Sequence, residues 1–395
     1  MSYSDFVSEV LGSAGSSGSG SSASGRRFAP IAPSAPPPRR PFGLTPRTPR
    51  SNRPLRSGFD VAGPTWDRDQ PRFAIGRASR SGAPGTVRPA RPTGVETVAI
   101  VGRGPVADRI DQRSRAAGWQ TERIALFPAE GADCLAAGCP PALRTASVVV
   151  VATPAGAHPT LTVLLRDCLR PDTLLVLVPG SPGAAGDFAA ALGDVVVAET
   201  SWSPWQADGD AFSEVGPVPL ATVPAGAASD VSSRLAPLFA TARAPSTLWS
   251  ALHAPDVVLR TAPTLLLGTV GPTTLGAAID DPAVAPVLAA LDEERAAVAS
   301  ALGLSVPRLA PALADLLGTP SDSLSTAVGA LADGPLGGDV DLIPYGLVPT
   351  LALAQLAGVT TPVTASLIDV ADKLLGNDFV LAGRSEIRVD LPVRP

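Results

Sequence analysis

The chain of 395 residues is long enough for two or three domains, and its 45% hydrophobic residues can form large cores. Its three cysteines are odd in number and lack metal-ligand spacing with either histidine, so we expect neither a disulfide framework nor a zinc or other metal site. It has neither an apolar run near the roughly 20 residues of a membrane-spanning helix nor a basic-then-apolar leader. The expected compartment is therefore the cytoplasm, with no membrane contact.

Residues 1–94 differ in composition from the rest and are predicted to form a disordered arm. They hold 14 arginines against five acidic residues, so a basic segment precedes an acidic body. Residues 2–11 place apolar side chains at near-helical spacing and predict a short amphipathic docking helix, whereas Ser, Gly, Pro and Arg dominate the remainder of the arm. The arm is either an unselected linker or a tether for a protein partner. Its arginines lack the interleaved aromatics of a specific nucleic-acid binder.

The most informative stretch is an apolar run, Val98–Val101, that leads directly into the pattern G-x-G-x-x-A. Gly102 allows a tight turn, Gly104 lets a pyrophosphate approach the backbone, and Ala107 lets the following helix pack closely on the sheet. Val106 lies in the same turn, and the positive N-terminal end of the helix faces the phosphates. The stretch therefore predicts a strand, a turn and a helix that together bind a dinucleotide.

Strands and helices alternate from residue 95 to about residue 244. The strand Ser147–Thr153 is mostly apolar, as in strands buried on both faces of a parallel sheet. The alternation predicts an α/β fold with a doubly wound parallel sheet of the Rossmann type over residues 95–244. The predicted elements are the strands Val95–Val101, Thr121–Phe127, Ser147–Thr153, Thr173–Val178 and Val195–Ala198, a first helix that ends near Ala117, and the helices His158–Cys168 and Ala184–Leu192.

From residue 245 onward the apolar residues follow helical spacing, and residues 245–395 are predicted to form an all-α domain. Asp281 and Thr361 each precede a proline, the arrangement of an N-cap before the first helical turn. Such a domain is long enough to close a cleft over a cofactor. The predicted helical segments are Leu265–Leu267, Ala283–Gly303, Leu309–Leu317, Leu347–Leu356 and Pro362–Leu375.

Several short sequence segments, taken in chain order, resemble segments of the octopine/opine dehydrogenase family. They are Ala152–His158, Leu177–Gly180, Ala198–Thr200, Leu291–Gly303, Ile343–Pro349, Gly358–Pro362, Asp378-Phe379 and Gly383-Arg384. The resemblance implies NAD or NADP as cofactor, with Thr153 and Pro154 beside the glycine turn as further cofactor-binding residues. It also implies reductive condensation of an amino acid with a 2-oxo acid, in which an imine is reduced to a secondary amine. Whether the chain forms a homodimer stays open.

The chain departs from the family pattern at the positions that carry the acid/base chemistry. Arg260 stands where the family has its catalytic histidine, and Gly268 stands where an asparagine is expected. An arginine stays protonated at neutral pH and cannot act as a base. Leu342 replaces the family's aspartate, although Asp341 lies one residue earlier, and Gly337 replaces an arginine.

These departures allow two interpretations. In the first, the chain is a divergent NAD(P)-dependent oxidoreductase in which Arg260 binds a carboxylate and Asp341, His158 or a water moves the proton. In the second, it is a catalytically degenerate member that serves as a binding or scaffold module recruited by its arm. Arg260 would then only pair with Asp339 or Asp341, and His158 would only cap the cofactor side of the fold.

Other candidates have both a functional and a packing interpretation. The predicted end of the second strand, Leu126–Pro128, offers neither an acid for a ribose hydroxyl nor an arginine for a 2′-phosphate, and Glu130 lies farther along. The sequence therefore does not distinguish NAD from NADP. His253 is a displaced base or a packing residue, and Trp202 and Trp205 either line the cleft or pack at the domain junction.

Overall fold

The computed structural model describes residues 95–124, 139–208, 211–267, 274–318, 324–328 and 339–387, all within the compact unit Arg68–Pro395. The predictions for the arm of residues 1–94, for Leu126–Glu130, for Gly268 and for Gly337 lie outside these residues. Within the described ranges, no helix is both long and apolar enough to cross a bilayer.

A seven-stranded, mostly parallel sheet forms the core of the first half. The strands are β1 Thr97–Val101, β2 Gln120–Ile124, β3 Val148–Val151, β4 Leu174–Leu177, β5 Val196–Thr200, β6 Trp205–Asp208, β7 Ala211–Glu214, β8 Val218–Val223 and β9 Thr241–Arg243. The sheet has the order β2-β1-β3-β4-β5-β8-β9, while β6 and β7 form a separate antiparallel pair. Neighbours among β1 to β5 pair in parallel, β8 runs antiparallel to β5, and β9 runs parallel to β8.

Apolar residues cover both faces of this sheet, which is why its central strands are continuous hydrophobic runs. Every residue of β3 and β4 is buried. Alternate side chains belong to two different clusters, with Val150 and Val176 on one face and Val149 and Leu175 on the other. The carboxyl ends of the parallel strands therefore meet at one edge between the helical layers, where the connecting loops can form a site.

Helices cover the sheet and make up the second half of the described chain. In the first half they are α1 Pro105–Ala116, α2 Pro141–Thr145, α3 His158–Leu165, α4 Ala184–Leu192 and α5 Ala228–Leu235. In the second half they are α6 Thr247–His253, α7 Pro255–Leu267, α8 Leu275–Ile279, α9 Ala285–Ala301, α10 Leu309–Leu317, α11 Leu324–Val328, α12 Val348–Ala357, α13 Pro362–Leu375 and α14 Phe379–Ala382. The fold class expected from the sequence, a Rossmann sheet followed by a helical domain, is confirmed.

Most predicted elements exist, and α4, α10 and α13 have the predicted bounds. The sequence patterns missed β6, β7 and β9, which have three or four residues, and the six-residue β8, which contains Pro219. They also assigned only Leu265–Leu267 of α7 to a helix, because Pro263 lies inside that helix and interrupts its pattern. The largest differences thus fall where an element is short or contains proline.

The two predicted N-caps differ in what they do. The Asp281 carboxylate accepts a backbone N–H two residues on, at 2.8 Å, ahead of α9. Thr361 precedes α13, but its side chain makes no cap hydrogen bond. Instead, the Glu294 carboxylate accepts the N–H groups of Val363 and Thr364 at 2.7 and 2.9 Å. A carboxylate from α9 therefore satisfies the first turn of α13 and joins the two helices.

Among the described residues, a single disulfide joins Cys139 to Cys168, a pair that the expectation of no disulfide framework did not anticipate. The two Cα atoms lie 5.6 Å apart, within the range that a disulfide requires. The two residues are 29 positions apart in sequence. Spacing could not reveal the pair, because only the fold brings the chain before α2 beside the end of α3.

We expect reduction of this disulfide to lower the free energy of unfolding by about 2–4 kcal/mol, because an intact crosslink restricts the unfolded chain. A thiol reductant or the substitution Cys168→Ser should lower the melting temperature, and the reductant should not lower it further in the Cys168→Ser variant. Peptide mapping under non-reducing conditions tests the bond directly. Recovery of Cys139 and Cys168 only as free thiols from air-oxidised protein would contradict the prediction.

Candidate active site

The turn between β1 and α1 is built around two glycines with positive φ. Gly102 has φ 134°, and a Cβ there would lie 2.0 Å from the Ala152 carbonyl oxygen, so only glycine fits. Gly104 has φ 94° and is the N-cap of α1, and no described atom beyond its chain neighbours lies within 4 Å of where a Cβ would be. The turn is pressed onto the end of β3 on one side and is open on the other.

This open side fits the pyrophosphate of a dinucleotide. Ala107 is fully buried and Val106 packs against the same core, so α1 lies close to the sheet. The N-terminal N–H groups of α1, a helix of 12 residues, are directed out of the helix beside Gly104. Pro105 has no N–H, so the donors come from the residues after it. The four residues predicted from the G-x-G-x-x-A pattern thus form one cradle.

The helical half reaches the cofactor side of the sheet through Asp341. The loop after β3 begins with Thr153 and Pro154 and continues into a 3-10 turn, Ala155–Ala157. Within it, Gly156 donates its backbone N–H to the Asp341 carboxylate at 3.0 Å. A Cβ at Gly156 would lie 2.8 Å from that carboxylate, so the two halves are in direct contact here. Asp341 therefore lies against the loop that carries Thr153 and Pro154, and its observed contact there is with Gly156.

Arg260 lies on α7, the helix that packs against the 3-10 turn Asp339–Asp341. Its Nε is 3.2 Å from the Asp256 carboxylate, one helical turn earlier. The side chains of Arg260 and Asp256 are 29% and 25% exposed, so the pair is partly open to solvent. The position that the family pattern gives to a base thus holds a cation that is already near a carboxylate.

His158 is buried beneath the loop that carries Gly156. It is 1% exposed, its Nδ1 lies 3.3 Å from the Ser181 hydroxyl, and its ring meets the Phe188 ring edge-on at 5.7 Å. Burial lowers the pKa of His158 to about 3, and the nearby Arg384 guanidinium adds to the shift. The imidazole is therefore neutral at neutral pH and packed inside the Rossmann half.

Glu199, at the carboxyl end of β5, is a buried acid within the segment Ala198–Thr200 that resembles the family, and the sequence alone indicated no role of its own for it. It is 2% exposed, its carboxyl accepts the N–H of Ala185 at 3.3 Å, and the nearby Ser250 hydroxyl on α6 acts to lower its pKa. Burial raises the pKa of Glu199 to about 8, so the carboxyl is protonated at neutral pH. The available signal was an acidic residue within an otherwise apolar strand.

His253 forms a second link between α6 and the chain after β5. It is 4% exposed, its Nδ1 lies 3.1 Å from the Ser201 hydroxyl, and its ring stacks on Trp249 at 4.4 Å. Burial lowers the pKa of His253 to about 4, with a smaller contribution from Arg295. The imidazole is neutral and packed, which favours the packing interpretation over a displaced base.

Trp202 and Trp205, which follow β5 within five residues, are both buried. Each is 2% exposed, and the Trp205 ring meets Phe239 edge-on at 5.6 Å. Their large apolar surface lies in the core cluster on one face of the sheet. They pack at the junction between β5 and β8.

A Rossmann half with a glycine cradle, in contact with a helical half at the cofactor loop, defines an opine-dehydrogenase-like, NAD(P)-dependent oxidoreductase fold. The chain is 25% identical over 273 residues to the opine dehydrogenase of Arthrobacter sp. (strain 1C), which covers 62% of this chain and 75% of that protein. The resemblance to opine dehydrogenases stated from the sequence is thereby confirmed.

Solved structures show the same fold. Octopine dehydrogenase in complex with NADH and agmatine matches with a TM-score of 0.59 at 17% identity, over 74% of this chain and 94% of that one. Yersinopine dehydrogenase with NADP+ bound matches with a TM-score of 0.55 at 15% identity, over the same shares of the two chains, 74% and 94%. No family profile matches the chain.

The buried carboxyl of Glu199 should make stability depend on pH. Because its pKa rises from 4.5 to about 8 on folding, the folded state holds a proton that the unfolded chain releases, and stability is lost as the pH rises between these values. We expect Glu199→Gln to raise the melting temperature relative to the wild type more at pH 8 than at pH 5.

Calorimetry across this pH range, with the exposed Glu293→Gln as the matched control, measures the effect. The control should behave like the wild type at every pH. An equal shift for Glu199→Gln at both ends of the range would show that Glu199 titrates normally in the folded protein.

Proposed function

We propose that the protein is an NAD(P)H-dependent oxidoreductase of the opine type, which reduces the imine formed between an amino acid and a 2-oxo acid or a closely related substrate. The observation that carries the proposal is the glycine cradle, pressed onto Ala152 at Gly102 and open at Gly104. The octopine and yersinopine dehydrogenase structures contain NADH and NADP+, which supports the same cofactor class here.

The chain's own residues would hold the cofactor in three places. The first turn of α1, with Val106 and Ala107, would donate N–H groups to the pyrophosphate. Gly104 leaves the space that the phosphates need, and Thr153 and Pro154 line the neighbouring loop. When bound, the nicotinamide supplies the hydride that reduces the imine carbon.

Arg260 is assigned to the carboxylate of the substrate. A guanidinium presents N–H donors in a planar fork that matches a carboxylate, and this side chain is partly exposed on the helix beside Asp341. It can hold and orient an anionic amino acid or 2-oxo acid, and it cannot remove a proton. The proton that the imine nitrogen gains must therefore come from another group or from water.

Asp341 is the carboxylate assigned to that proton step. Its contact with Gly156 supports a place beside the cofactor loop, where it can hold a substrate amine and exchange a proton with it or with water. His158 is assigned a structural role below the same loop, because its pKa of about 3 leaves it unprotonated at neutral pH.

A second candidate function is a catalytically degenerate scaffold. It is favoured by the pairing of Arg260 with Asp256 at the position of the family's base and by Leu342 at the position of its aspartate. In this case residues 1–94 would recruit a protein partner, and the Rossmann and helical halves would bind a ligand without catalysing a reaction. Cofactor binding and turnover separate the two candidates.

Cofactor binding tests the cradle. We expect NADH or NADPH to bind the purified protein, and Gly104→Asp to weaken that binding at least about tenfold, because a carboxylate then faces the phosphates. Gly118→Asp is the matched control, since Gly118 has φ 76° at the other end of α1 and also has no described atom near its Cβ position.

Calorimetric titration of the three proteins gives the affinities, and their melting temperatures report folding. The control variant should bind like the wild type. If the folded wild type binds neither nucleotide up to millimolar concentration, the oxidoreductase proposal fails and the scaffold remains.

Turnover tests Arg260. With mixtures of amino acids and 2-oxo acids, we expect Arg260→Met to raise KM for the 2-oxo acid about tenfold to a hundredfold, because a charge-assisted hydrogen bond to the carboxylate is lost. Arg308→Met, at an arginine that pairs with Asp292 within the helical half, should keep the wild-type KM.

The oxidation of NADH or NADPH, monitored by absorbance, measures the turnover and the KM of each variant. If Arg260→His instead gains turnover over an inactive wild type, the site has lapsed and the scaffold function is favoured.

A further inference from the structure

Arg384 comes after the last helix of the helical half, yet its side chain lies inside the Rossmann half. It is 5% exposed. Its Nη1 donates to the Ser181 hydroxyl at 3.1 Å and to the Pro182 carbonyl at 2.7 Å, and its Nε donates to the Asp187 carboxylate at 2.7 Å. One guanidinium thus makes three hydrogen bonds to the loop after β4 and to α4.

Glycines occupy two close approaches around this arginine, one against its side chain and one against the backbone that precedes it. Gly183 has φ 83°, and a Cβ there would lie 2.8 Å from Cδ of Arg384. On the other side, a Cβ at Gly383 would lie 2.5 Å from the Pro344 carbonyl oxygen and 2.6 Å from that of Phe379. A larger residue at Gly183 would displace the Arg384 side chain, and one at Gly383 would displace the backbone beside it. Both positions therefore require glycine for Arg384 to reach the Rossmann half.

The same arginine is attached to the segment that carries Asp341. Its backbone N–H donates to the Pro344 carbonyl at 2.9 Å, and its guanidinium carbon lies 5.3 Å from the centroid of the Tyr345 ring. Both residues belong to the π-helix Ile343–Leu347, which begins two residues after Asp341. Arg384 therefore joins this π-helix to the Rossmann loop.

We propose that Arg384 is a positioning residue, which fixes the π-helix Ile343–Leu347 on the Rossmann half and thereby keeps the Asp341 carboxylate on the N–H of Gly156. The proposal concerns how the two halves are held together, so it does not depend on the reaction assigned to the site. It predicts that the contact of Asp341 with the Gly156 N–H weakens when the contacts of Arg384 with the Rossmann half are lost.

Arg384 also acts on the ionisable groups around it. Burial raises the pKa of Tyr345, and the positive charge of Arg384 opposes that increase. The same charge lowers the pKa values of His158 and Glu199. Tyr345 is well suited to report on the arginine, because the chain has only one other tyrosine, Tyr3.

Hydrogen exchange at the Gly156 amide tests the proposal without any substrate. We expect Arg384→Met to speed exchange at Gly156 about tenfold or more, because that amide is protected only while Asp341 stays in contact. The Ala152 amide, which donates to the Val101 carbonyl at 2.8 Å within the sheet, should keep its wild-type rate. Asp341→Ala serves as the positive control, and Arg308→Met as the arginine control.

Spectrophotometric titration of the tyrosines provides the second measurement. Arg384→Met should raise the phenol pKa of Tyr345, Arg384→Lys should raise it less because a positive charge remains, and Tyr345→Phe identifies the transition. If Arg384→Met does not fold, Asp187→Asn and Arg384→Lys, which remove one or two of the guanidinium contacts, should give intermediate exchange at Gly156. Wild-type exchange at Gly156 in a folded Arg384→Met variant would overturn the proposal even if the melting temperature falls. If that variant does not fold, wild-type exchange in both Asp187→Asn and Arg384→Lys would overturn it.

Discussion

The close approach of Gly102 to the Ala152 carbonyl is the constraint on which the rest of the site depends. With 2.0 Å between that oxygen and the position of a Cβ, no other residue can hold the β1–α1 turn against the end of β3. This contact sets where α1 begins, and the burial of Ala107 and Ile110 fixes the helix on the sheet. The N-terminal end of α1 and the loop that carries Gly156 then face the same edge, and Asp341 of the helical half contacts that loop.

Near the contacts between the two halves, burial keeps three ionisable side chains uncharged at neutral pH. Glu199 is protonated and His158 and His253 are neutral at neutral pH, because a charged form without a close partner would cost several kcal/mol in the interior. The histidines lower stability in acid, where the unfolded chain takes up protons that the folded state cannot accommodate, as the pH falls from 6.5 towards about 4 and 3. Glu199 has the opposite effect as the pH rises from 4.5 to about 8. The contacts between the halves thus include neutral hydrogen bonds such as that of His253 with Ser201, beside the charged groups of Arg384, Asp187 and Asp341.

The sequence predicted the fold class and the cradle because both depend on local patterns: apolar strands such as Val148–Val151, and glycines whose spacing reports a turn. It could not predict contacts that depend on distant segments meeting. The disulfide between Cys139 and Cys168, the Glu294 carboxylate that caps α13, and Arg384 beneath the loop after β4 all join residues with no characteristic spacing. The assignments of Arg260, Asp341 and His158 rested on resemblance and remain predictions about their roles.

An opine dehydrogenase combines hydride transfer with the condensation of an amine and a 2-oxo acid, and the described residues support the first of these more directly than the second. Hydride transfer needs a cofactor held in register with a substrate, and the cradle at Gly102 and Gly104 supports that part. Condensation of an amine with a 2-oxo acid also needs protons to be removed and returned, and the family's base is replaced by Arg260, paired with Asp256. A fixed cation at this point stabilises a carboxylate or a developing negative charge but does not exchange protons. Under the proposed function, this arrangement suits reduction of a C=N or C=O group whose protons come from Asp341 or water better than a reaction that relies on a histidine to form the imine.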